Sequence, residues 1–282
     1  MVSIAILLFI MLIFTSVMNS VSATWTAGDQ RASTFQDGRA ILDVMGRELT
    51  HAAMSPSLQF VAASSFSGTR ANSDCIFWQA PLTYRVSGSA TPTSNLCEVG
   101  YFIDSSYNLK RFFVQPANAA NFNIYDSAPS DSNATSWVKT AYLTNTSIST
   151  VLATGVIAFW VRCLDANGDP ILWASSSYHF NSAAHFRPAT LGTSNSFTYT
   201  ASSTAQANLL PNAVELTLIL IDDKTLKKSL AIPAMIPAMP TVASPAAVPA
   251  AVTAFNNSLI ANKVSTARTF TSRVVIPNSV RQ

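Results

Sequence analysis

Apolar residues fill the start of the chain without a break. Val2–Met18 reads VSIAILLFIMLIFTSVM and holds no charge; the first charged residue is Asp29. As an α-helix this run is roughly 26 Å long, near the lower limit for crossing a bilayer, and the uncharged Asn19–Ala27 extends it. The pattern then becomes one-sided. Phe35, Leu42, Met45 and Leu49 fall on one helix face, while Asp29, Arg31, Asp37, Arg39, Asp43, Arg47 and Glu48 lie on the other. Arg39–Asp43 and Asp43–Arg47 are i,i+4 pairs that support the helix. Gly28 and Gly38 each cost it roughly 1 kcal/mol against Ala, and Pro56 is a stop signal. The pattern predicts one helix of about 50 residues, roughly 75 Å long. Its first half suits lipid or a bundle of like helices, and its second half packs a stripe on a globular domain.

Beyond the helix the pattern changes to short strands. Ser55–Ala80 reads as a loop leading into a strand at Asp74–Gln79, followed by Tyr84–Ser87, Val99–Asp104 and Leu109–Val114. Ala117–Ser136 is polar and reads as a loop. Val151–Leu164 is one apolar strand, and the turn Asp165–Pro170 returns it as a hairpin through Ile171–Trp173. Ser175–Ala207 is polar, with signals only at Tyr178–Phe180 and Ser196–Tyr199. In Leu209–Asp222, Val214, Leu216, Leu218 and Leu220 alternate with Glu215, Thr217 and Ile219, the period of a half-buried strand. Lys224, Lys227 and Lys228 form a basic turn. Pro233, Pro237, Pro240, Pro245 and Pro249 exclude regular structure from Ile232–Pro249, an extended loop or insertion. A short helix at Ala250–Asn262 and a strand at Phe270–Ile276 close the chain.

Composition narrows the function. Charged residues are only 11% of the 282, against roughly 25% in soluble proteins, and the net charge is +3. A surface that tracks phosphates needs dense Lys and Arg, so no nucleic-acid partner is expected. The remaining polarity is neutral and suits an extracytoplasmic β-rich domain. The three cysteines are Cys75, Cys97 and Cys163. A Cys75–Cys97 disulfide is possible and would stabilise the domain by roughly 3 kcal/mol; Cys163, in an apolar run, reads as a buried thiol.

The segment VSIAILLFIMLIFTSVMNSV resembles the N-terminal helix of type IV pilin-like proteins from about its seventh mature residue. That family begins with a short basic leader, a Gly and Phe-Thr-Leu-x-Glu. These do not stand before Met1-Val2-Ser3, and the expectation is that they lie upstream of the assigned start. The strings VIAFWVRCLDANGDPILWAS, LLPNAVELTLILID and ARTFTSRVVIPNS resemble minor pseudopilin J of type II secretion and, more closely, the pilin-like Verru_Chthon cassette protein C group. The Ala/Pro segment departs from the secretion-system protein. The resemblance implies an α+β fold: a helix over 1–54, with 1–23 transmembrane, packed on an antiparallel β-rich pilin-like domain over 55–282 whose loop is 232–249. It implies a non-enzymatic fibre subunit, single-pass in a bacterial inner membrane with its domain in the periplasm. Its partners would be other pseudopilins or pilin-like subunits and membrane lipid. The assembly and membrane residues would be Ile4, Ile6, Leu7, Leu8, Ile10, Met11, Leu12, Ile13 and Phe14, with Phe35, Leu42, Met45 and Leu49 joining helix to domain.

Catalytic chemistry is sparse. His51 lies on the helix, and His179 and His185 lack a Glu or Cys partner for zinc. Asp165, Asn167 and Asp169 imitate a calcium loop without its closing Glu. There is no Gly-x-Ser-x-Gly elbow and no phosphate-binding glycine loop. No cofactor, metal or small-molecule substrate is expected. Two rival readings keep different residues in play. One is a secreted β-rich module, cleaved after Val21-Ser22-Ala23 to start at Thr24, that binds carbohydrate through Trp137, Trp160 or Trp173. The other is a tethered hydrolase using a serine or His179.

Overall fold

The computed structural model describes residues 2–53, 58, 60–64, 66, 68–84, 93–117, 122, 137–138, 140–173, 178–181, 190–191, 197–198, 211–232 and 235–277. Helix α1 spans Val2–Leu49, 48 residues without interruption, or about 72 Å. It contains no proline, so every backbone donor after the first turn can reach its i−4 carbonyl. The end tightens: His51 N–H donates to Glu48 O and Ala52 N–H to Leu49 O, satisfying carbonyls of the final turn. The helix therefore stops before Pro56, which lies outside the described residues.

The rest of the chain builds two antiparallel sheets. The larger has six strands, β1 (Val61–Ser64), β2 (Asp74–Tyr84), β3 (Thr93–Ile103), β4 (Asn108–Val114), β5 (Ser149–Thr154) and β7 (Tyr178–Asn181), in the order β5-β4-β3-β2-β1-β7. The smaller comprises β6 (Val156–Leu164), β10 (Ala213–Leu220) and β11 (Arg268–Val275), in the order β11-β10-β6. A two-residue pair, β8 (Thr190–Leu191) with β9 (Phe197–Thr198), stands apart from both. Among the described residues, the α-helices after α1 are α2 (Thr140–Thr144), α3 (Asp223–Ala231) and α4 (Val248–Ala261).

The α+β class and the long helix agree with the sequence pattern, and several local expectations are corrected. Val151–Leu164 is two strands in different sheets. The break is Gly155, at φ +77°, where a Cβ would lie 2.6 Å from the Ile221 carbonyl oxygen. The Asp165–Pro170 turn forms, with Asn167 and Asp169 N–H donating to Asp165 Oδ1. Its return limb is not a strand, however. After one bridge between Leu164 and Pro170 the chain departs, and β10 takes the place beside β6, with Val214 opposite Cys163. The Lys224–Lys228 turn is helix α3. Asp222 caps it, accepting from Thr225 N–H at 2.8 Å and Thr225 Oγ1 at 2.9 Å. Strand β1 lies inside the segment expected to be loop. Tyr84 is the last residue of β2, and 85–87 lie outside the described residues, as does most of 117–136 and 175–207.

The central strands of both sheets are covered on both faces, which explains their near-continuous burial, whereas the edge strand β11 still alternates. Ile76, Trp78, Val99 and Tyr101 of the large sheet meet Phe159, Val161, Leu216 and Leu218 of the small one, with Met45 and Leu49 of α1 joining them. The other side of the large sheet presents Cys75, Phe77, Phe102 and Phe112 to Trp137 and Leu143. The outer side of the small sheet presents Trp160 and Ile219 to Ile236, Met239, Phe255 and Leu259. The Ala/Pro segment is thus a lid on the small sheet, ending in a 3-10 turn at Pro245–Ala247 that runs into α4. β10 is buried on both faces because that lid covers it.

Candidate assembly surface

Among the described residues, the apolar side chains in the first half of α1 are open to their surroundings. Ile4, Ile6, Leu7, Leu8, Ile10, Met11, Leu12, Ile13 and Phe14 are each 48–71% exposed, and Val17, Met18 and Val21 are similarly open. Trp25 is 80% exposed, at the point where the apolar run approaches the first charges. Among the described residues this is the one helix long and apolar enough to cross a membrane. Leaving that much apolar side-chain surface in water costs roughly 25 cal/mol for each Å². An exposed face of this extent marks a site for lipid or for other helices. Three hydroxyls within it, Thr15, Thr24 and Thr26, bond back to the carbonyls of Met11, Ser20 and Ser22 and so add little polarity.

The second half of α1 lies on the domain. Leu42, Met45 and Leu49 are buried together with Ile41 and Thr34. Phe35 is 48% exposed, with its ring 5.8 Å from that of Phe270 on β11. Gly38 permits this approach, since a Cβ there would lie 2.6 Å from the Phe270 ring. Of the two surface pairs, Asp43 and Arg47 meet at 2.5 Å, whereas Arg39 lies over the Phe35 ring at 4.8 Å.

Glu48 departs from the charged face on which the pattern placed it. Its carboxylate turns inward and accepts from Arg111 Nε at 3.0 Å, Arg111 Nη2 at 2.6 Å and the Tyr101 hydroxyl at 2.5 Å. Burial raises the Tyr101 pKa, and the neighbouring Glu48 charge raises it further. Burial alone would lower the Arg111 pKa, but Glu48 outweighs it and holds the guanidinium charged. Arg111 also stacks over Phe113 at 4.3 Å. These groups clamp the C-terminal turn of α1 to β3 and β4. Helical phase alone placed Glu48 on the charged face, because its partners lie more than 50 residues away.

The remaining candidates fall into the core. Cys75, Cys97 and Cys163 are free buried thiols, and a Cys75–Cys97 disulfide is excluded by register. Cys97 lies opposite Ala80, five strand positions from Cys75, about 17 Å along β2, and the two thiols face opposite sides of the sheet. Burial pushes Cys75 and Cys163 well above the usual thiol range and Cys97 up to about 11. Trp137 and Trp160 are 3% and 1% exposed and offer no ring to a sugar. Trp173 is stacked on His179 at 3.6 Å. His179 Nδ1 is 3.4 Å from Asp74 Oδ2, and that carboxylate accepts from Val161 N–H at 2.7 Å. Burial raises the Asp74 pKa against the opposing effect of these two neighbours. This pair ties β7 and β6 to β2 inside the core. His51 Nδ1 lies 2.8 Å from the Arg47 carbonyl oxygen, at the exposed helix end. His185 lies outside the described residues. Among the described residues no three His, Cys, Asp or Glu side chains gather as a metal site would require.

No family model and no curated protein sequence matches the chain. Among solved structures it is similar to a type IV-like pilin from Thermus thermophilus, at 11% identity over 88% of this chain and 99% of that one, with a TM-score of 0.36.

Proposed function

We propose that the chain is a structural, pilin-like subunit. The apolar half of α1 holds it in a membrane and, on assembly, packs against the helices of neighbouring subunits. The observation that carries this reading is the division of one uninterrupted helix. Its open end is apolar on all sides, and its other end is fixed to the domain by a buried stripe and an ionic clamp. Transfer from lipid to a bundle of helices keeps the apolar surface out of water, so extraction need cost little net burial. Trp137 and Trp160 are buried, the partly buried Trp173 is stacked on His179, and the Asp74–His179 pair is buried, where a sugar site or hydrolase would need accessible groups.

The finer reading follows the sequence resemblance. The chain serves as a minor pseudopilin of a type II secretion or type IV pilus-like system, single-pass in the inner membrane, with residues 55–282 in the periplasm. Its neighbours are other pilin-like subunits.

Membrane fractionation with protease protection tests the anchor, and mass spectrometry of the same sample tests the helix. The expected result is a membrane-bound chain that keeps Ile4–Ala23, with a domain cleaved only from the periplasmic side. A soluble mature chain beginning at Thr24 would overturn the proposal.

A further inference from the structure

We infer that the free edge of β11 is a docking site for an extended, acidic segment of another protein, which adds a fourth strand to the small sheet. The inference goes beyond the fibre-subunit reading and does not depend on it.

In an antiparallel sheet a strand turns the backbone groups of alternate residues to one side and those of the rest to the other. Ile276 N–H donates to Asn212 O, which fixes the phase of β11. Phe270, Ser272 and Val274 therefore bond to β10, and Thr269, Thr271, Arg273 and Val275 turn their N–H and C=O groups outward. These four residues are all exposed, and among the described residues no backbone partner meets them on this edge. The opposite edge of the same sheet is finished differently. There Val161 N–H donates to the Asp74 carboxylate, and Cys163 O accepts from Ile171 N–H. The fold thus satisfies groups on one edge of the sheet and leaves the other as a template for a strand.

The edge has room beside it. A groove of about 680 Å³ runs between α1 and β11, lined in part by Leu42, Gly46, Val274 and Val275. Its charge selects the occupant. Arg39, Arg47 and Arg273 stand in the lining against one carboxylate, Asp43, which is already paired with Arg47. Arg39 lies over the Phe35 ring and Arg273 rests beside Gly168, and among the described residues neither makes a salt bridge. Arg273 also ends a row across the sheet. Arg162 of β6, Glu215 of β10 and Arg273 stand in register, and Arg162 holds the Glu215 carboxylate. The row alternates in sign and stops on an unpaired cation, so the residue that fits on the next strand is Asp or Glu. A second copy would bring its own β11 with the same excess of arginine, and like charges placed opposite each other are unfavourable. The partner is therefore a different chain.

The test uses the full chain in phosphatidylcholine nanodiscs, with hydrogen exchange resolved to single amides. The probe is the capped peptide Val-Ala-Glu-Val-Thr-Ser, whose Glu falls opposite Arg273 when its first Val opposes Val275. In the bare chain the outward amides of β11 should exchange fast and those bonded to β10 slowly. Peptide should slow the fast set. Lys in place of the peptide's Glu should weaken binding roughly fivefold, the scale of one facing pair. Arg273→Glu, melting as the wild type does, should reverse that preference, and N-methylation of the peptide's Glu should abolish the protection. An outward set already slow in the bare chain would overturn the free edge, and slowing that follows chain density would make the occupant a second copy. A peptide without effect, or an N-methylated one that protects equally, would overturn strand addition. Equal binding of the Glu and Lys peptides would overturn the acidic partner. None of these outcomes touches membrane anchoring, so the fibre-subunit reading stands or fails separately.

Discussion

Glu48 joins helix to sheet by accepting from three donors, in a site where its side chain is 18% and that of Arg111 is 24% exposed. Removing one member leaves the other charged and largely out of water, so Glu48→Ala should destabilise the fold by about 2–3 kcal/mol. Replacing both by apolar residues, Glu48→Leu with Arg111→Met, should recover part of the loss. A denaturant double-mutant cycle with no coupling energy would contradict the clamp. Asp222 gives a pH signature. Burial would raise its pKa, but hydrogen bonds from Thr266 and Thr225 outweigh this and hold it below the ordinary carboxylate range. A depressed folded pKa means that the stabilisation is complete above the unfolded value of about 3.9 and fades as pH falls through the folded one. Asp222→Ala should therefore cost about 1 kcal/mol at pH 7 and almost nothing near pH 2, as read by denaturation at both. The thiols run the other way. Their raised folded pKa values stabilise the fold fully below the unfolded value of about 8.5, and that contribution declines as pH rises beyond it. All three, Cys75, Cys97 and Cys163, should resist alkylation until the chain unfolds and then react, with the thiol count separating this from any disulfide form.

At the scale of elements, glycines separate positions that the sequence treats alike. Gly28 has open space where a Cβ would stand, while Gly38 faces the Phe270 ring at 2.6 Å. Gly28→Ala should firm the helix by up to about 1 kcal/mol, visible as slower amide exchange in α1. Gly38→Ala should lower the melting point instead, because the same helical gain is opposed by displacement of the Phe270 ring from its place against Gly38 and Phe35 of α1. Gly155→Ala should be costlier, since it combines positive φ with a clash against the Ile221 carbonyl. That glycine also shows where the sequence was opaque. The run from Val151 to Leu164 is apolar on both sides of it, so hydrophobicity alone merges β5 with β6. Helix α3 was legible by another signal, Asp222 three residues ahead of Thr225, which the cluster of lysines obscured. The alternation in β10 identified a strand, but its second buried face depends on Ile236, Met239 and Phe255, a cover no local pattern announces. The α1 stripe was legible because its periodicity is local, and the inward turn of Glu48 was not because Arg111 is remote.

For the whole molecule, the boundary between open and packed helix falls just before Thr34, the first buried α1 residue among those described. Shortening the chain to begin at Gly28 should leave the sheets and their three apolar cores intact while removing the need for detergent. The shortened and full chains should give the same near-ultraviolet circular dichroism, and only the full chain should partition into vesicles. Loss of tertiary signal on shortening would mean that the apolar end stabilises the domain as well as anchoring it.

The absence of any proline from Val2 to Leu49 has a mechanical consequence. A helix without a proline kink carries tension along its whole length. When the tip held in the membrane is pulled from its surroundings, the strain reaches the far end, where Glu48, Arg111 and Tyr101 grip in shear. The first part to yield under load is therefore that grip, and the wild-type chain should bear a higher rupture force than Glu48→Ala when stretched between its opening residues and β4.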